Sequence, residues 1–301
     1  MRNPIDVVRE VASPSLEELE LRSVQTEDAT PTYRVGGSGP ALLLIHGWPL
    51  SSLTWVPMAP ALMRNFTCYF VDLAGLGGTT WTRQTDFGFH AHARRLLQVL
   101  DHAGVGPCHV LAQDSGATIA RLLAAQAPLR VRSLVLLNTE IPGHRPPWIW
   151  LYRWLMFLPG TNTIFSLLLR SKTFQESTLG FGGCFADLAL IHQDFERRII
   201  RPMLKSRRAM DGLNRYLRRL DFQVVDALEQ RTHPLIKAPT LLVWGEDDPT
   251  FPIAHARKMA AQFPDCRGVI AIPNARLLVH EEHPARVTDE TIRFIRSLEK
   301  T

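Results

Sequence analysis

Six short runs of β-branched and aliphatic residues recur along the chain: Ala41 to Ile45, Thr67 to Val71, Cys108 to Ala112, Ser133 to Leu137, Thr240 to Trp244 and Val269 to Ile272. Each ends in a polar or glycine-bearing turn. Runs that stay apolar instead of alternating suit strands buried on both faces of a largely parallel sheet. Between them, His90 to His102 puts Ala91, Leu96, Leu97, Val99 and Leu100 near helical spacing, and Ala117 to Ala127 is built of strong helix formers. This alternation predicts an α/β fold with a mostly parallel, doubly wound sheet. A chain of 301 residues, 46% of them hydrophobic, can bury a sizeable core, which excludes disordered, fibrous and disulfide-scaffold classes.

The rhythm fails between about Ile141 and Thr232, where aromatics, basic residues and helical patterns replace strands, with Pro142, Pro146-Pro147, Pro234 and Pro239 at the margins. The expected organisation is a core from residues 1–140 and 231–301 with a helical cap from 141–230. Within that cap, Trp148, Trp150, Trp154, Phe157, Phe165 and several leucines crowd together, interrupted by Arg153 and by Pro159-Gly160. No uninterrupted run of roughly 20 apolar residues exists, so no stable membrane span is expected. The stretch reads as an apolar lid over a greasy pocket, with shallow membrane contact as the alternative.

The formal charge of +5 is spread over pairs such as Arg94-Arg95, Arg197-Arg198 and Arg207-Arg208. It forms no basic stripe interleaved with aromatics, so nucleic acid is not an expected partner. The four cysteines are far apart without a CxxC pair, and the N-terminus has no apolar signal core. Together these predict a reduced, cytoplasmic protein. Oligomeric state is not legible here.

The strongest local signal for chemistry is Leu111-Ala112-Gln113-Asp114-Ser115-Gly116-Ala117, which ends a strand and opens a helix. A nucleophile on such a sharp turn needs small residues two before and two after it, because the backbone is strained and its neighbours crowd. Ala112 and Gly116 centre the turn on Asp114, whereas Ser115 would be flanked by Gln113 and Ala117. The competing reading is that Asp114 only caps the next helix.

Two further segments follow strands in the expected order: His46-Gly47-Trp48-Pro49 and Asp72-Leu73-Ala74-Gly75-Leu76-Gly77. Together with the Asp114 turn they resemble the α/β-hydrolase superfamily, in particular its aspartate-nucleophile branch of epoxide hydrolases and haloalkane dehalogenases, over nearly the whole chain. The resemblance implies an α/β-hydrolase fold with a helical cap, and an oxyanion hole from the backbone N–H groups of Trp48 and Ser115. Pro49 is a candidate cis proline, and Gly75 and Gly77 serve turn geometry. The resemblance also selects Asp248, in Gly245-Glu246-Asp247-Asp248-Pro249, as the carboxylate that orients the catalytic imidazole. Asp247 is then surface or turn chemistry, and Glu140 is the reserve acid.

The sequence departs from the family at the histidine. Against the family's Pro-Gly-Ala-Gly-His pattern, Pro273-Asn274-Ala275-Arg276-Leu277 aligns without a gap and places Leu277 in the histidine slot. His280 lies three residues later. One reading has it swing toward Asp114 as the base, and the other leaves it behind the site or on the surface. His283, beside Pro284, is expected to be exposed. In this branch a carboxylate attacks an electrophilic carbon to form an ester, and an imidazole then activates water to cleave it. Loss of the base would spare only the first step.

Haloalkane dehalogenases place Trp after the nucleophile and fluoroacetate-type enzymes place Arg there, whereas this chain has Ser115. Epoxide hydrolases use cap tyrosines to meet the ring oxygen, and Leu213-Asn214-Arg215-Tyr216-Leu217-Arg218 resembles the segment carrying one of them. Tyr216 is therefore one candidate, and Tyr152 is the second because Tyr33 and Tyr69 fall in the core. Amphipathic packing is the alternative role for both. The expectation is a hydrolase without cofactor or metal, acting through Asp114, Asp248 and His280 on a small apolar electrophile such as an epoxide. The alternatives are a haloalkane dehalogenase, an ester or lactone hydrolase, and a degenerate hydrolase that binds a ligand without turnover.

Overall fold

The computed structural model describes residues 15–146 and 148–299, so the N-terminal segment read above for targeting lies largely outside the described residues, as does Pro147. Ten strands follow in order: β1 Arg22–Ser23, β2 Ala29–Thr30, β3 Thr32–Gly36, β4 Ala41–Ile45, β5 Thr67–Asp72, β6 Thr80–Trp81, β7 Cys108–Gln113, β8 Val131–Leu137, β9 Thr240–Gly245 and β10 Cys266–Ile272. Eight of them form one sheet in the order β1-β3-β5-β4-β7-β8-β9-β10. The pairs β1/β3 and β3/β5 are antiparallel, and every pairing from β5 through β10 is parallel. This is the mostly parallel, doubly wound α/β sheet expected from the apolar runs.

The helices explain why those runs are apolar on both faces. In the first half of the chain these are α1 Ala59–Met63, α2 Phe89–His102 and α3 Ser115–Gln126. After the last strand-free segment come α10 Ile253–Ala260, α11 Val279–Glu282 and α12 Pro284–Leu298. Leu42 and Leu44 of β4 pack in one cluster with Leu62, Val287 and Ile295, from α1 and α12. Leu43 and Ile45, pointing the other way, join Leu96, Ile119 and Met259, from α2, α3 and α10. Successive residues of one strand thus feed opposite core layers.

Among the described residues no strand falls between Leu137 and Thr240. That insertion holds α4 Ile149–Leu155, α5 Thr161–Leu168, α6 Lys172–Glu176, α7 Arg201–Leu204, α8 Arg207–Arg218 and α9 Phe222–Ala227. It is tied to the sheet layer by Arg198, whose buried guanidinium donates to both oxygens of buried Glu281, at 3.2 and 2.8 Å, and to the Leu53 carbonyl at 2.5 Å.

Candidate active site

Parallel pairing aligns the strand ends. Ile45 is level with Ala112, and Gln113 with Leu137, which brings Gly47-Trp48, Asp114 and Asn138 to one edge. Asp114 sits at φ 50° and ψ −133°, a strained backbone for a residue with a side chain. The strain is held by its N–H, which donates to the Asn138 carbonyl at 3.0 Å, and by its own carbonyl, which accepts from Thr139 Oγ1 at 2.8 Å. The flanking glycines are required sterically. A Cβ on Gly116 would lie 2.3 Å from the His46 carbonyl oxygen, and one on Gly47 would lie 2.4 Å from Asp114 Cβ.

Asp114 occupies the N-cap position of α3 but its side chain does not cap the helix. The carboxylate turns to the opposite strand end instead, where the Trp48 N–H donates to Oδ2 at 3.0 Å. The same N–H reaches Ser115 Oγ at 3.0 Å, and the Tyr216 hydroxyl donates to that oxygen at 2.9 Å. Behind Trp48, the His46 ring accepts from the Leu73 N–H at 3.1 Å, so its other nitrogen donates to the Gly47 carbonyl at 2.9 Å and braces the turn. The Trp48-Pro49 peptide is cis, and Gly75 and Gly77 both take positive φ. Burial, reinforced by the nearby charge of Glu140, pushes the Asp114 carboxyl well above the usual carboxylate range.

Glu140 borders the same cavity, with Oε2 accepting from Thr118 Oγ1 at 2.8 Å. Beneath it the fully buried Arg121 donates to the Thr118 and Thr139 hydroxyls and to the Glu140 carbonyl. Asp248 is buried one strand further on. It accepts from Asn138 Nδ2 at 2.6 Å and from the Thr250 N–H at 2.8 Å, while Asn138 Oδ1 anchors the Gly245 N–H. Burial raises its carboxyl to about 7 against those hydrogen bonds. Its neighbour Asp247 is exposed.

Leu277 lines the cavity together with Asp114. His280 does not line it. It is fully buried in α11, with its ring 4.8 Å from that of Trp55 and Nε2 2.7 Å from Thr54 Oγ1. Thr54 has one hydroxyl hydrogen, which goes to Glu281 Oε1 at 2.8 Å. The Nε2 of His280 is therefore the donor in their contact. Burial, and next the charge of Arg198, lower its pKa to about 3. The structure thus brings Asp114, Trp48, Ser115, Glu140 and Tyr152 together and leaves His280 out, because Thr54 and the Glu281–Arg198 pair hold it on the far side of its loop. Of the sequence alternatives, the structure fits a histidine behind the site: His280 is not turned to the cavity and it is not on the surface. His283 is half-buried, not exposed, with Nε2 donating to the Asn274 carbonyl at 3.1 Å.

The cavity is walled mainly by apolar cap residues, among them Ile149, Phe165, Leu169, Phe181 and Phe222. Tyr152 lines it, edge-on to Trp48 with ring centroids 6.4 Å apart, and burial raises its phenol pKa. Tyr216 is buried beside the site but does not line the cavity, since its hydroxyl is committed to Ser115. The Trp48 indole N–H is also committed, to the Leu213 carbonyl at 3.0 Å. Among the lining residues that escaped the sequence reading, two carry titratable side chains. His144 donates from Nε2 to the Thr250 carbonyl at 2.8 Å, and Cys184, whose carbonyl accepts from the Leu278 N–H at 3.1 Å, lies where the carboxylates of Asp248 and Asp114 add to the effect of burial in raising its thiol pKa. His144 stands four residues after Glu140 in a Pro-Gly turn, which was its one sequence cue.

Residues 40–284 match the model of the alpha/beta hydrolase fold family. The chain belongs to that family. It is 27% identical over 282 residues to Haloalkane dehalogenase 2 of Mycobacterium tuberculosis (strain ATCC 25618 / H37Rv), covering 91% of this chain and 94% of that one. Among solved structures, an ancestral haloalkane dehalogenase, AncHLD2, superposes with a TM-score of 0.75 at 26% identity, covering 93% of this chain and 100% of the other. The epoxide hydrolase CorEH gives a TM-score of 0.76 at 21% identity over 93% and 100% of the two chains, a likeness of fold. This α/β-hydrolase thus has dehalogenase relatives and an epoxide-hydrolase neighbour, with leucine facing its cavity at position 277.

Proposed function

We propose that Asp114 opens a small apolar epoxide and that the resulting ester is released slowly, for want of an imidazole at Leu277. The observation that carries this reading is the pairing of Asp114 Oδ2 with the Trp48 N–H in an apolar cavity that also receives Tyr152. The free oxygen of the carboxylate attacks a ring carbon, the carbon–oxygen bond of the ring breaks, and the ring oxygen takes a hydrogen bond and then a proton by way of Tyr152. The product is a β-hydroxy ester of Asp114. Oδ2 becomes its carbonyl oxygen, already held by the donor that would stabilise an oxyanion when water attacks. That water step has no imidazole at the family's histidine position, since Leu277 stands there and His280 is bonded elsewhere.

The alternative of haloalkane cleavage is less well supported, because Ser115 follows the nucleophile and the Trp48 indole N–H is occupied, leaving neither to cradle a halide. The test is intact-protein mass spectrometry after incubation with a panel of terminal epoxides and haloalkanes, with peptide mapping and a diol assay. An adduct on Asp114 that accumulates with epoxides and is absent in Asp114→Asn is the expected result. Rapid diol formation without an adduct would overturn the slow release. A ligand-induced thermal shift with neither adduct nor product would replace the whole reading with a binding role.

A further inference from the structure

Of the thirteen large apolar side chains exposed among the described residues, eight lie between residues 150 and 168. That clustering is too dense for scattered surface hydrophobics. They divide the helical hairpin of α4 and α5 into two faces. Ile149 and Tyr152 of α4, with Phe165 and Leu169 of α5 and its C-terminal end, point inward and line the cavity, and Tyr152 and Phe165 meet edge-on at 6.2 Å. Trp150, Trp154 and Phe157, together with Ile164, Leu167 and Leu168, lie at helical spacing on the opposite side. Trp154 is 61% exposed and Leu167 63%.

The hairpin's own sequence carries charge of one sign. No Asp or Glu occurs between Glu140 and Glu176, whereas Arg153, Arg170 and Lys172 fall within the hairpin and its exit. None of these three makes an ion pair among the described residues. Arg153 lies over the Trp150 ring at 5.7 Å, and Arg218, from α8, lies over Phe157 at 4.9 Å, so cations rim the apolar side chains directly. Tryptophan, phenylalanine and leucine beside arginine and lysine, on helices of 7 and 8 residues, match the chemistry of an interface between headgroups and acyl chains. Among the described residues no helix is long and apolar enough to cross a bilayer.

We propose that the outer face of the α4–α5 hairpin docks on an anionic lipid bilayer, with its aromatic and leucine side chains sunk among the acyl chains and its basic rim on the headgroups. The inner face of the same hairpin walls the cavity, so the docked enzyme would draw apolar ligands from the lipid phase instead of from water. The sequence alternatives of lid and membrane contact then belong to the two faces of one element. The docking stands independently of whether Asp114 is the nucleophile.

The test is co-sedimentation of the full chain with phosphatidylcholine vesicles, with and without phosphatidylglycerol, read alongside the tryptophan emission and its quenching by brominated lipid. Binding is expected to need the anionic lipid, to weaken as salt rises, and to shift the emission to the blue. Trp154→Ser with Leu167→Ser, and separately Arg170→Glu with Lys172→Glu, should each weaken it by about tenfold or more, with the melting temperature retained because these side chains are exposed. Absence of vesicle binding would overturn the proposal, as would binding indifferent to headgroup charge. So would concentration-dependent self-association without lipid that the Trp154→Ser, Leu167→Ser variant abolishes, since a second copy would then be what covers the face.

Discussion

The Trp48 N–H is shared between Asp114 Oδ2 and Ser115 Oγ at 3.0 Å each, and the Tyr216 phenol closes the arrangement by donating to Ser115 Oγ at 2.9 Å. Ser115 is thus a spacer between a cap tyrosine and the turn that carries Asp114.

The two cap tyrosines are therefore expected to behave differently. Tyr152→Phe removes the hydroxyl of the tyrosine that lines the cavity and should slow alkylation of Asp114 by about 100-fold, the usual cost of a lost donor or proton source at the reacting atom. Tyr216→Phe removes a buried hydrogen bond worth about 1 kcal/mol of stability and should slow alkylation by less than about tenfold. Single-turnover rates from time-resolved mass spectra, with thermal melts of each variant, check this. Equal losses would mean that both phenols meet the substrate.

Leu277→His is expected to convert accumulation into turnover. An imidazole at this wall would face the cavity shared with Asp114. The adduct seen with the parent chain should fall and diol should rise by at least about 100-fold, within the range of a positioned base. His280→Ala should leave adduct formation and release unchanged apart from a loss of stability. Diol formation abolished by His280→Ala would show that the loop rearranges and that His280 does reach the ester.

The buried ionisable groups predict opposing pH dependences. His280 and His233 have pKa values lowered to about 3 by burial and, next, by a nearby arginine. The unfolded chain therefore takes up their protons first, and their contribution to stability is lost as pH falls from the unfolded value near 6.5 toward 3. Asp248 is raised to about 7 by burial, so its neutral form favours the fold and that contribution is lost as pH rises from about 4 to 7, by at most on the order of 4 kcal/mol. Comparing Asp248→Asn with the parent isolates the second effect. The melting temperature of the variant relative to the parent should climb across pH 4 to 7 and level off above it, whatever the constant offset from its new contact with Asn138. Alkylation of Asp114 needs the ionised carboxylate, whose pKa is also raised, so its rate should increase with pH.

Arg198 and Glu281 form a buried ion pair between the insertion and the loop that holds His280. Arg198→Ala would strand the Glu281 charge and should cost about 3–5 kcal/mol, whereas Arg198→Met with Glu281→Leu should recover part of that loss. Denaturant unfolding of both variants measures the difference.

The parallel core was legible because its strands are buried twice over. β4 matches its apolar run from Ala41 to Ile45, and β5, β7, β8 and β9 extend theirs by one or two residues. β3 was not read, because Thr32-Tyr33-Arg34-Val35 alternates and pairs antiparallel with β5 near the edge, where one apolar face suffices. In the site, the turn at Asp114 was legible because its sterics demand small residues at fixed offsets, as the contacts of Gly116 bear out. The position of His280 was not, since what holds it is Thr54, more than two hundred residues away in sequence, and Arg198 from the insertion. His144 and Cys184 were missed for the same reason: only the folded cap brings them to the cavity.

Tyr152 and Trp154 stand two positions apart on a helix of seven residues, one turned to the cavity and the other to the outside. A rigid tilt of α4 moves both at once. Whatever grips the indole would therefore also reposition the phenol relative to Asp114, and under the proposed reaction the ring-opening geometry would become a lever whose handle lies on the protein's outer surface.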